Sequence, residues 1–365
     1  MIKKIISIVG ARPQFIKAAI VSKRLKEVHV NQLLLHTGQH YDSNMSAIFF
    51  KDLKIDTPDF YLGIGSGQHG EQTGNMLVEC EKVLLKEKPC LAVVYGDTNS
   101  TLAGALSAIK LKIPVAHVEA GLRSYKRYMP EEINRVLTDH ISELLFAPTS
   151  NAVNNLKKES IVDNVFNVGD VMLDLALEIS SKMESYEENI LKNYNLRKKQ
   201  FILITVHRAD NTDIKNNLFN IYEAIKDLAN KGYKIFFPVH PRTRNYLINY
   251  AFLDKKVPDN LILNEPISYN EMIVLEKNAR VIITDSGGVQ KEAYFFKTPA
   301  IIPRDKTEWV EIVRTGWNIL TGADKQRIVD SVLQLWDTSH YNNWKDFYGN
   351  GNAGNKIANI IKGYI

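Results

Sequence analysis

The sequence predicts an α/β protein made of two doubly wound, parallel-sheet domains. Short β-branched runs alternate with amphipathic helical patterns in both halves of the chain, and a charged helical stretch without a strand, Met172 to Arg197, separates them. A chain of 365 residues with 45% hydrophobic content is too long for one core. We therefore predict domains at 1–170 and 171–353, with the C-terminal helix 354–365 completing the first.

The first half alternates strands and helices. Its strand patterns are Ile5–Val9, Gln32–Leu35, Leu91–Tyr95 and Pro114–Val118. Its helical patterns are Pro13 to about Lys26, Ser43 to Leu53, Glu71 to Leu85, Ser100 to Leu111, and a helix that begins at Pro130. Proline suits the first turn of a helix, where its missing N–H costs no hydrogen bond. Further strand–helix units end near Asp170.

The second half repeats this alternation. Its strand patterns are Phe201–Val206, Lys234–Pro238, Leu261–Leu263, Val281–Ile283 and Ala300–Ile302. The fourth strand leads through Asp285 and Ser286-Gly287-Gly288 into a helical pattern. Glycines let a ligand approach the backbone, and the unpaired amides that begin a helix attract phosphate. This turn is a candidate diphosphate site in which Ser286 adds a donor; the alternative is an ordinary turn in which Ser286 only caps the helix.

Composition argues against several classes of function. The net charge of +5 is mild and spread along the chain, so we expect no nucleic-acid partner. No stretch reaches membrane-spanning length, and Arg12-Pro13 ends the first apolar run, so we expect neither a signal peptide nor a membrane partner. Cys80 and Cys90 have neither disulfide nor metal-ligand spacing, and the histidines are scattered. We predict a cytoplasmic protein without a metal.

Neither half carries the glycine pattern of a dinucleotide site after its first strand. In the first half that turn contains Arg12, and Lys17 follows on the same helix, so an anion would meet a guanidinium and an ammonium group. This pair suits a diphosphate in a cleft between the domains, opposite Ser286-Gly287-Gly288. The alternative for Lys17 is an ordinary surface charge.

Three acids follow strands of the first domain: Asp97, Glu119 and Glu131. Because parallel strands end at one edge of a sheet, we expect these carboxylates to converge and to raise one another's pKa values toward neutrality. Helix capping is the alternative for Asp97, and interaction with the helix dipole is the alternative for Glu131. Arg135, one turn beyond Glu131, either pairs locally or contacts substrate.

Two residues of the second domain are further candidates. His207 ends its first strand and is expected to donate to a phosphate or assist a leaving group, with a structural imidazole as the alternative. His240 occupies a similar place with a weaker claim. Glu292, four residues after Gly288, is within reach of a ribose diol, by analogy with the acid that binds ribose in other doubly wound folds.

Six motifs, in this order, resemble those of the non-hydrolysing UDP-N-acetylglucosamine 2-epimerases. They are Gly10-x-Arg12-Pro13 with Lys17, Tyr95-Gly96-Asp97-Thr98, His117-Val118-Glu119-Ala120-Gly121-Leu122-Arg123, Pro130-Glu131-Glu132-x-Asn134-Arg135, His207-Arg208 and Asp285-Ser286-Gly287-Gly288. The resemblance covers essentially the whole chain. It implies two Rossmann-like domains in the GT-B-type arrangement of many nucleotide-sugar glycosyltransferases, and inversion at C2 of the sugar without metal or redox cofactor.

The resemblance also implies a mechanism and a set of roles. UDP leaves as the C2 proton is lost, which gives a 2-acetamidoglucal, and UDP adds back after reprotonation on the other face. By motif match, Asp97, Glu119 and Glu131 transfer protons, and Lys17 and Arg135 contact substrate. The remaining predicted contacts are with the diphosphate, from Arg12, His207, Ser286, Gly287 and Gly288, and with ribose, from Glu292. We expect UDP-GlcNAc and UDP-ManNAc as substrates, a role in surface polysaccharide precursor synthesis, and a homodimer.

Three motifs depart from the family's usual pattern. Gln39-His40-Tyr41-Asp42 and His207-Arg208-Ala209-Asp210 differ from members that have a regulatory second UDP-sugar site, which argues against activation by substrate. Trp309 stands where those enzymes usually have arginine. The tryptophan form is similar to a branch that includes epimerases of UDP-2,3-diacetamido-2,3-dideoxy-glucuronic acid, so the C3 and C6 groups of the sugar stay open.

Two other classes of function are weighed against an epimerase. A glycosyltransferase would share the fold and the diphosphate site but would need an acceptor groove, whereas an acid-rich cleft favours proton transfer. A non-catalytic sugar-nucleotide sensor would not need Asp97, Glu119 and Glu131 together.

Overall fold

A computed structural model of the chain describes residues 3–39, 57–252, 257–337 and 343–365. The chain divides into two compact units, Met1–Leu177 with Asp346–Ile365, and Glu178–Lys345. Each unit contains one all-parallel sheet with helices on both faces, which confirms the predicted fold class. The sequence had placed the boundaries after residue 170 and after residue 353.

The sheet of the first unit has seven strands. They are β1 (Lys4–Val9), β2 (Asn31–His36), β3 (Phe60–Tyr61), β4 (Leu91–Tyr95), β5 (Val115–Val118), β6 (Leu144–Ala147) and β7 (Val165–Asn167). The helices are α1 (Arg12–Glu27), α2 (His69–Glu87), α3 (Asn99–Lys110), α4 (Pro130–Ile141), α5 (Ser150–Lys158), the first part of α6 (Val171–Met183) and the C-terminal α15 (Ala353–Tyr364). The predicted helix at 43–53 lies outside the described residues.

Alternate residues of each strand bury on opposite faces of this sheet. In β4, Val93 and Tyr95 pack in one apolar cluster with α1 and α15, whereas Ala92 and Val94 pack in another with α2 and α3. The strand order is β3-β2-β1-β4-β5-β6-β7, so the direction of winding reverses between β1 and β4. The carboxyl ends of strands at such a reversal are where doubly wound domains bind ligands.

The sheet of the second unit has six strands. They are β8 (Phe201–Thr205), β9 (Lys234–Pro238), β10 (Leu261–Asn264), β11 (Val281–Thr284), β12 (Ala300–Ile302) and β13 (Asn318–Leu320). The remaining helical segments are a 3-10 turn (Glu184–Tyr186), α7 (Glu187–Asn193), α8 (Ala209–Thr212), α9 (Lys215–Asn230), α10 (Pro241–Asn249), α11 (Tyr269–Asn278), α12 (Gly287–Phe295), α13 (Val310–Arg314) and α14 (Lys325–Asp337). The strand order β10-β9-β8-β11-β12-β13 reverses between β8 and β11.

The second sheet is also covered on both faces. Ile202 and Ile204 of β8 pack with α9 and α14, and Phe201 and Leu203 pack with α11 and α12. Sequence reasoning missed two of the four edge strands of these sheets, β3 and β13. They are two and three residues long, which is too short to produce a recognisable strand pattern.

Candidate active site

Glu119 directly follows β5 in an uncommon backbone conformation, with φ of +73°. For a residue with a Cβ this conformation costs about 1 to 3 kcal/mol and is held by its surroundings. The amides of Glu119 and Ala120 both donate to the carbonyl of Phe146 on β6, at 3.1 Å each. The Glu119 carboxylate pairs with Lys17 of α1, and each side chain is only 9% exposed. The alternative that Lys17 is an ordinary surface charge is therefore wrong.

Gly96, between β4 and Asp97, leaves room for this ion pair. Its φ is +63°, and a Cβ on it would lie 3.1 Å from Lys17 Nζ and 3.4 Å from Glu119 Oε2. A side chain would be strained in this left-handed conformation and would press on the pair. The Gly96 amide donates to the carbonyl of Val118 at 3.0 Å. The ends of β4 and β5 are thus held side by side.

Asp97 pairs with Arg135 of α4. Capping does not explain Asp97, because α3 is capped by the hydroxyl of Thr98, which accepts from the Thr101 amide. Asn134, next to Arg135, donates to the Asp97 carbonyl at 3.0 Å. The sequence predicted carboxylates gathered at this edge; the structure places Asp97 and Glu119 there and adds a cation beside each.

Two glutamates begin α4, and their surroundings differ. Glu131 is exposed, so its proton-transfer role stays a prediction. Glu132 is buried and accepts from the amide and hydroxyl of Ser124, at 2.9 Å each, and from the Tyr125 amide at 2.7 Å. It also accepts from Arg135 at 3.2 Å. Sequence reasoning missed this ordering role; its signal was the three-residue spacing to Arg135.

Gln14 connects the turn after β1 to the end of β4. Its Oε1 accepts from the amides of Gly10 and Ala11, at 2.8 and 2.9 Å, and its Nε2 donates to the Tyr95 carbonyl at 2.8 Å. Because Gln14 already satisfies these amides, an anion at this turn would be bound by side chains. Arg12 begins α1, but its side chain lies outside the described part of the structure, so its role stays a prediction.

Asp285, fully buried after β11, organises the strand ends of the second unit. Its carboxylate accepts from the amides of His207 and Arg208, both at 3.0 Å, and from Asn211 Nδ2 at 2.9 Å. The His207 ring is 38% exposed and lies 3.8 Å from Asp285 Oδ1. It also stacks on His240 at 5.3 Å. Asp285 therefore joins β8 to β11 where the strand order reverses and leaves the His207 ring accessible.

The predicted phosphate turn opens α12. Ser286 occupies the N-cap position, as the alternative for this turn expects, but its side chain makes no capping hydrogen bond. A Cβ on Gly287 would lie 3.6 Å from both Arg208 Nη2 and Trp309 Nε1. These two side chains therefore flank the glycine start of the helix, where Gly288 is the next residue. A helix dipole beside a guanidinium group favours an anion.

Trp309 is buried and packs with a buried lysine, Lys291, whose Nζ lies 4.3 Å from the ring centroid. Glu308 forms contacts of 3.3 Å with Arg304. Burial would raise the pKa of Glu308, but the charges of Arg304 and Arg208 lower it to about 2. Lys291 and Arg208 thus supply positive charge near the start of α12, beside Trp309.

Glu292 is buried in the second turn of α12 and hydrogen-bonds with the hydroxyl of Tyr269. Glu276 on α11 is also fully buried, and burial and the Glu292 carboxylate raise the pKa of Glu276 well above its usual range. Burial and the neighbouring Glu292 carboxylate thus both favour the protonated form of Glu276. Contact between Glu292 and ribose stays a prediction.

The described ranges contain neither a candidate membrane span nor a candidate metal site. No helix there is long and apolar enough to cross a membrane. Those residues also contain no group of three or more His, Cys, Asp or Glu side chains placed to hold a metal ion. The motif residues His40 to Asp42 lie outside these ranges.

Comparison with known proteins identifies the family. A family model described as UDP-N-acetylglucosamine 2-epimerase matches residues 23–362. The chain belongs to this family. A Methanococcus maripaludis relative named UDP-N-acetylglucosamine 2-epimerase homolog is 55% identical, over 98% of this chain and 99% of its own. A Pseudomonas aeruginosa relative named UDP-2,3-diacetamido-2,3-dideoxy-D-glucuronate 2-epimerase is 47% identical, over 98% of this chain and 99% of its own.

Solved structures agree with this family. The Methanocaldococcus jannaschii UDP-GlcNAc 2-epimerase in complex with UDP-GlcNAc and UDP has a TM-score of 0.89 and 47% identity, over 98% of this chain and 99% of that one. The fold is GT-B-like, and the resemblance inferred from the motifs is confirmed. The protein is an isomerase, a UDP-sugar 2-epimerase, so the glycosyltransferase and sensor alternatives are wrong.

Proposed function

We propose that this epimerase interconverts UDP-GlcNAc and UDP-ManNAc by eliminating UDP and adding it back. The observation that carries the proposal is the placement of Asp97 and Glu119 at the adjacent ends of β4 and β5, beside the reversal of strand order. Elimination needs a group that takes the C2 proton on one face, and re-addition needs a group that delivers a proton on the other. Two fixed carboxylates on neighbouring strands suit these two tasks.

The reaction balances without a redox partner. As a base takes the C2 proton, the C2–H electrons form the C1=C2 double bond of a 2-acetamidoglucal, and the C1–O electrons leave with UDP. In return, an acid protonates C2 on the opposite face and a UDP oxygen bonds to C1. Negative carboxylates stabilise the oxocarbenium character at C1. Lys17 and Arg135 hold Glu119 and Asp97 in fixed orientations, while Glu131 is a third candidate for proton transfer.

The second unit would hold the leaving group. The amides that begin α12, the hydroxyl of Ser286 and the guanidinium of Arg208 suit the negative charge that collects on the diphosphate as C1–O breaks. The accessible His207 ring is suited to donate to the same group. Arg12 would add a further positive charge, and Glu292 would accept from the ribose hydroxyls.

Deuterium exchange tests this function. We expect the protein, incubated with UDP-GlcNAc in D2O, to place deuterium at C2 of both the gluco and manno epimers, as followed by proton NMR. Glu119→Gln should slow this exchange by about 10²- to 10⁴-fold while UDP still binds. Absence of C2 exchange with every UDP-sugar tried would refute epimerisation by this route.

A second candidate substrate is UDP-2,3-diacetamido-2,3-dideoxy-glucuronic acid. Two observations favour it: the Pseudomonas aeruginosa relative named for that sugar, and the tryptophan packed beside the start of α12 together with Lys291. The chemistry at C1 and C2 is the same for both sugars, so only recognition at C3 and C6 differs. Exchange confined to the diacetamido uronate in parallel incubations would replace the first candidate with the second.

Three further predictions concern the setting of the enzyme. They are a cytoplasmic location, a homodimer, and the supply of precursors for a surface polysaccharide. Light scattering coupled to size exclusion measures the oligomer directly, and a monomer mass of about 41.5 kDa would contradict the dimer.

A further inference from the structure

His117 of β5 lies beneath the strand ends that carry Asp97 and Glu119, and it is fully buried. Its Nε2 lies 2.7 Å from the carbonyl oxygen of Gly96, and its Nδ1 lies 2.7 Å from Asp139 Oδ1. A carbonyl oxygen can only accept a hydrogen bond, so Nε2 carries a hydrogen. The protonation of Nδ1 then depends on Asp139.

Asp139, on α4, is ionised. Its second oxygen accepts from the Gly121 amide at 3.1 Å and from Arg123 Nη1 at 2.6 Å. Burial raises the pKa of Asp139, but its hydrogen bonds and ion pairs lower it by more, so that the pKa lies below its usual value. An ionised carboxylate accepts only, and Nδ1 therefore carries a hydrogen as well. Two accepting partners therefore call for a hydrogen on each ring nitrogen of His117, as in an imidazolium cation.

A series of side chains with alternating charge compensates the positive charge of the buried His117 ring. Behind Asp139, Arg123 donates through two nitrogens to Glu159, at 2.7 Å each. Glu159 is partly exposed and lies 3.3 Å from His140. Positive and negative groups thus alternate from His117 to the surface, which makes burial of each charge tolerable because every charge has a hydrogen-bonded partner.

At the other end of this series of charges, the His117 ring contacts the turn between β4 and Asp97. Gly96 adopts the left-handed conformation that leaves room for the pair of Lys17 and Glu119, and its peptide bond leads directly to Asp97. A charge-assisted hydrogen bond to the Gly96 carbonyl therefore fixes the peptide between β4 and Asp97. The same ring stands on β5 two positions before Glu119, so one imidazolium links the backbones of both carboxylates.

We propose that His117 is a positioning residue for epimerisation: its ring, doubly protonated and held by Asp139, fixes the Gly96 carbonyl and so places Asp97 and Glu119 for proton transfer at C2. This inference rests on the proposed function. The charged and titratable groups around the ring are Lys17, Glu119, Asp97 and Arg135 beyond Gly96, and Asp139, Arg123, Glu159 and His140 behind it.

Two amide variants of His117 test the two contacts of its ring separately. His117→Gln places an amide nitrogen near the former Nε2 and keeps the donor to Gly96, whereas His117→Asn places one near the former Nδ1 and keeps only the donor to Asp139. A small misplacement of reacting groups costs about 10²-fold in rate, so we expect kcat of His117→Asn to fall by about that factor. The kcat of His117→Gln should be roughly tenfold higher than that of His117→Asn, because one hydrogen bond contributes about that factor.

Binding and stability measurements complete this test. UDP affinity, measured by calorimetry, should match the wild type in both variants, because the His117 ring hydrogen-bonds with Gly96 and Asp139 and with none of the predicted diphosphate contacts. A wild-type kcat in His117→Asn would overturn the inference. So would equal losses of kcat in the two variants, or losses that only follow their melting temperatures.

Nitrogen-15 NMR of the wild-type enzyme tests the ring directly and needs no substrate. We expect both His117 nitrogens to show the shifts of protonated nitrogens at neutral pH, with the signals assigned by their loss in His117→Gln. A neutral ring would overturn the inference even if epimerisation is confirmed. Conversely, failure of C2 exchange in the wild type would refute the proposed function while the ring measurement still reports on the arrangement of Gly96, His117 and Asp139.

Discussion

Glu119→Gln removes the negative charge of Glu119 while keeping the shape of its side chain. A positioned acid or base contributes about 10²- to 10⁴-fold to a rate, so exchange at C2 should slow by that factor, or about 3 to 5 kcal/mol of barrier. The change also affects stability, because Glu119 and Lys17 are each only 9% exposed. Removing one partner of a buried pair costs about 3 to 5 kcal/mol. Loss of chemistry must therefore be separated from loss of folding.

The double variant Lys17→Met/Glu119→Gln makes this separation. With both charges removed, no uncompensated charge stays buried, so the melting temperature should recover toward that of the wild type. Exchange at C2 should stay lost, because the proton-transfer group is still missing. Proton NMR in D2O measures exchange and thermal unfolding measures stability for the wild type and both variants. Wild-type exchange in Glu119→Gln, or recovery of exchange together with stability in the double variant, would refute this role for Glu119.

Three further changes test the second unit. Gly287→Ala should fold normally, because its Cβ would lie 3.6 Å from Arg208 and Trp309, which is an ordinary van der Waals distance. The added methyl group should weaken UDP binding by roughly tenfold or more. Unchanged UDP affinity in calorimetry would place the phosphate site elsewhere. Asp285→Asn should lower the free energy of unfolding by about 1 to 3 kcal/mol, because an amide cannot accept all three N–H bonds; unchanged urea unfolding would contradict this. Glu308→Gln should have a lower free energy of unfolding than the wild type at pH 7. This difference should shrink as pH falls from 4.5 toward about 2, because a carboxylate with a lowered pKa stabilises the fold only while it is ionised. A difference independent of pH would count against the ion pair of Glu308 and Arg304.

The sequence was informative where a local pattern determines structure. Buried parallel strands appear as continuous apolar runs, so the ends of β4, β5, β8 and β11 were located, and with them Asp97, Glu119, His207 and Ser286. The edge strands β3 and β13 were missed because a run of two or three residues is too short to show a strand pattern. The surface or cap alternatives for Lys17 and Asp97 were also decided only by the folded structure.

What the sequence did not provide is the partner of each side chain. Lys17 and Glu119 are 102 residues apart, and the His207 amide is 78 residues from the Asp285 carboxylate that accepts from it. Such pairs depend on which strands lie next to each other. The sequence placed His117 in a core strand, but its protonation follows only from the two acceptors that face its ring.

We expect the C1–O bond to UDP to break and re-form during each inversion. UDP-GlcNAc that carries oxygen-18 in the bridge between C1 and the β-phosphorus reports on the breaking of this bond. Once UDP is free of the sugar, rotation makes the terminal phosphate oxygens equivalent. Phosphorus NMR should then show the label moving from the bridge to non-bridging positions as the manno epimer appears. Inversion at C2 with the label retained in the bridge would contradict elimination and re-addition.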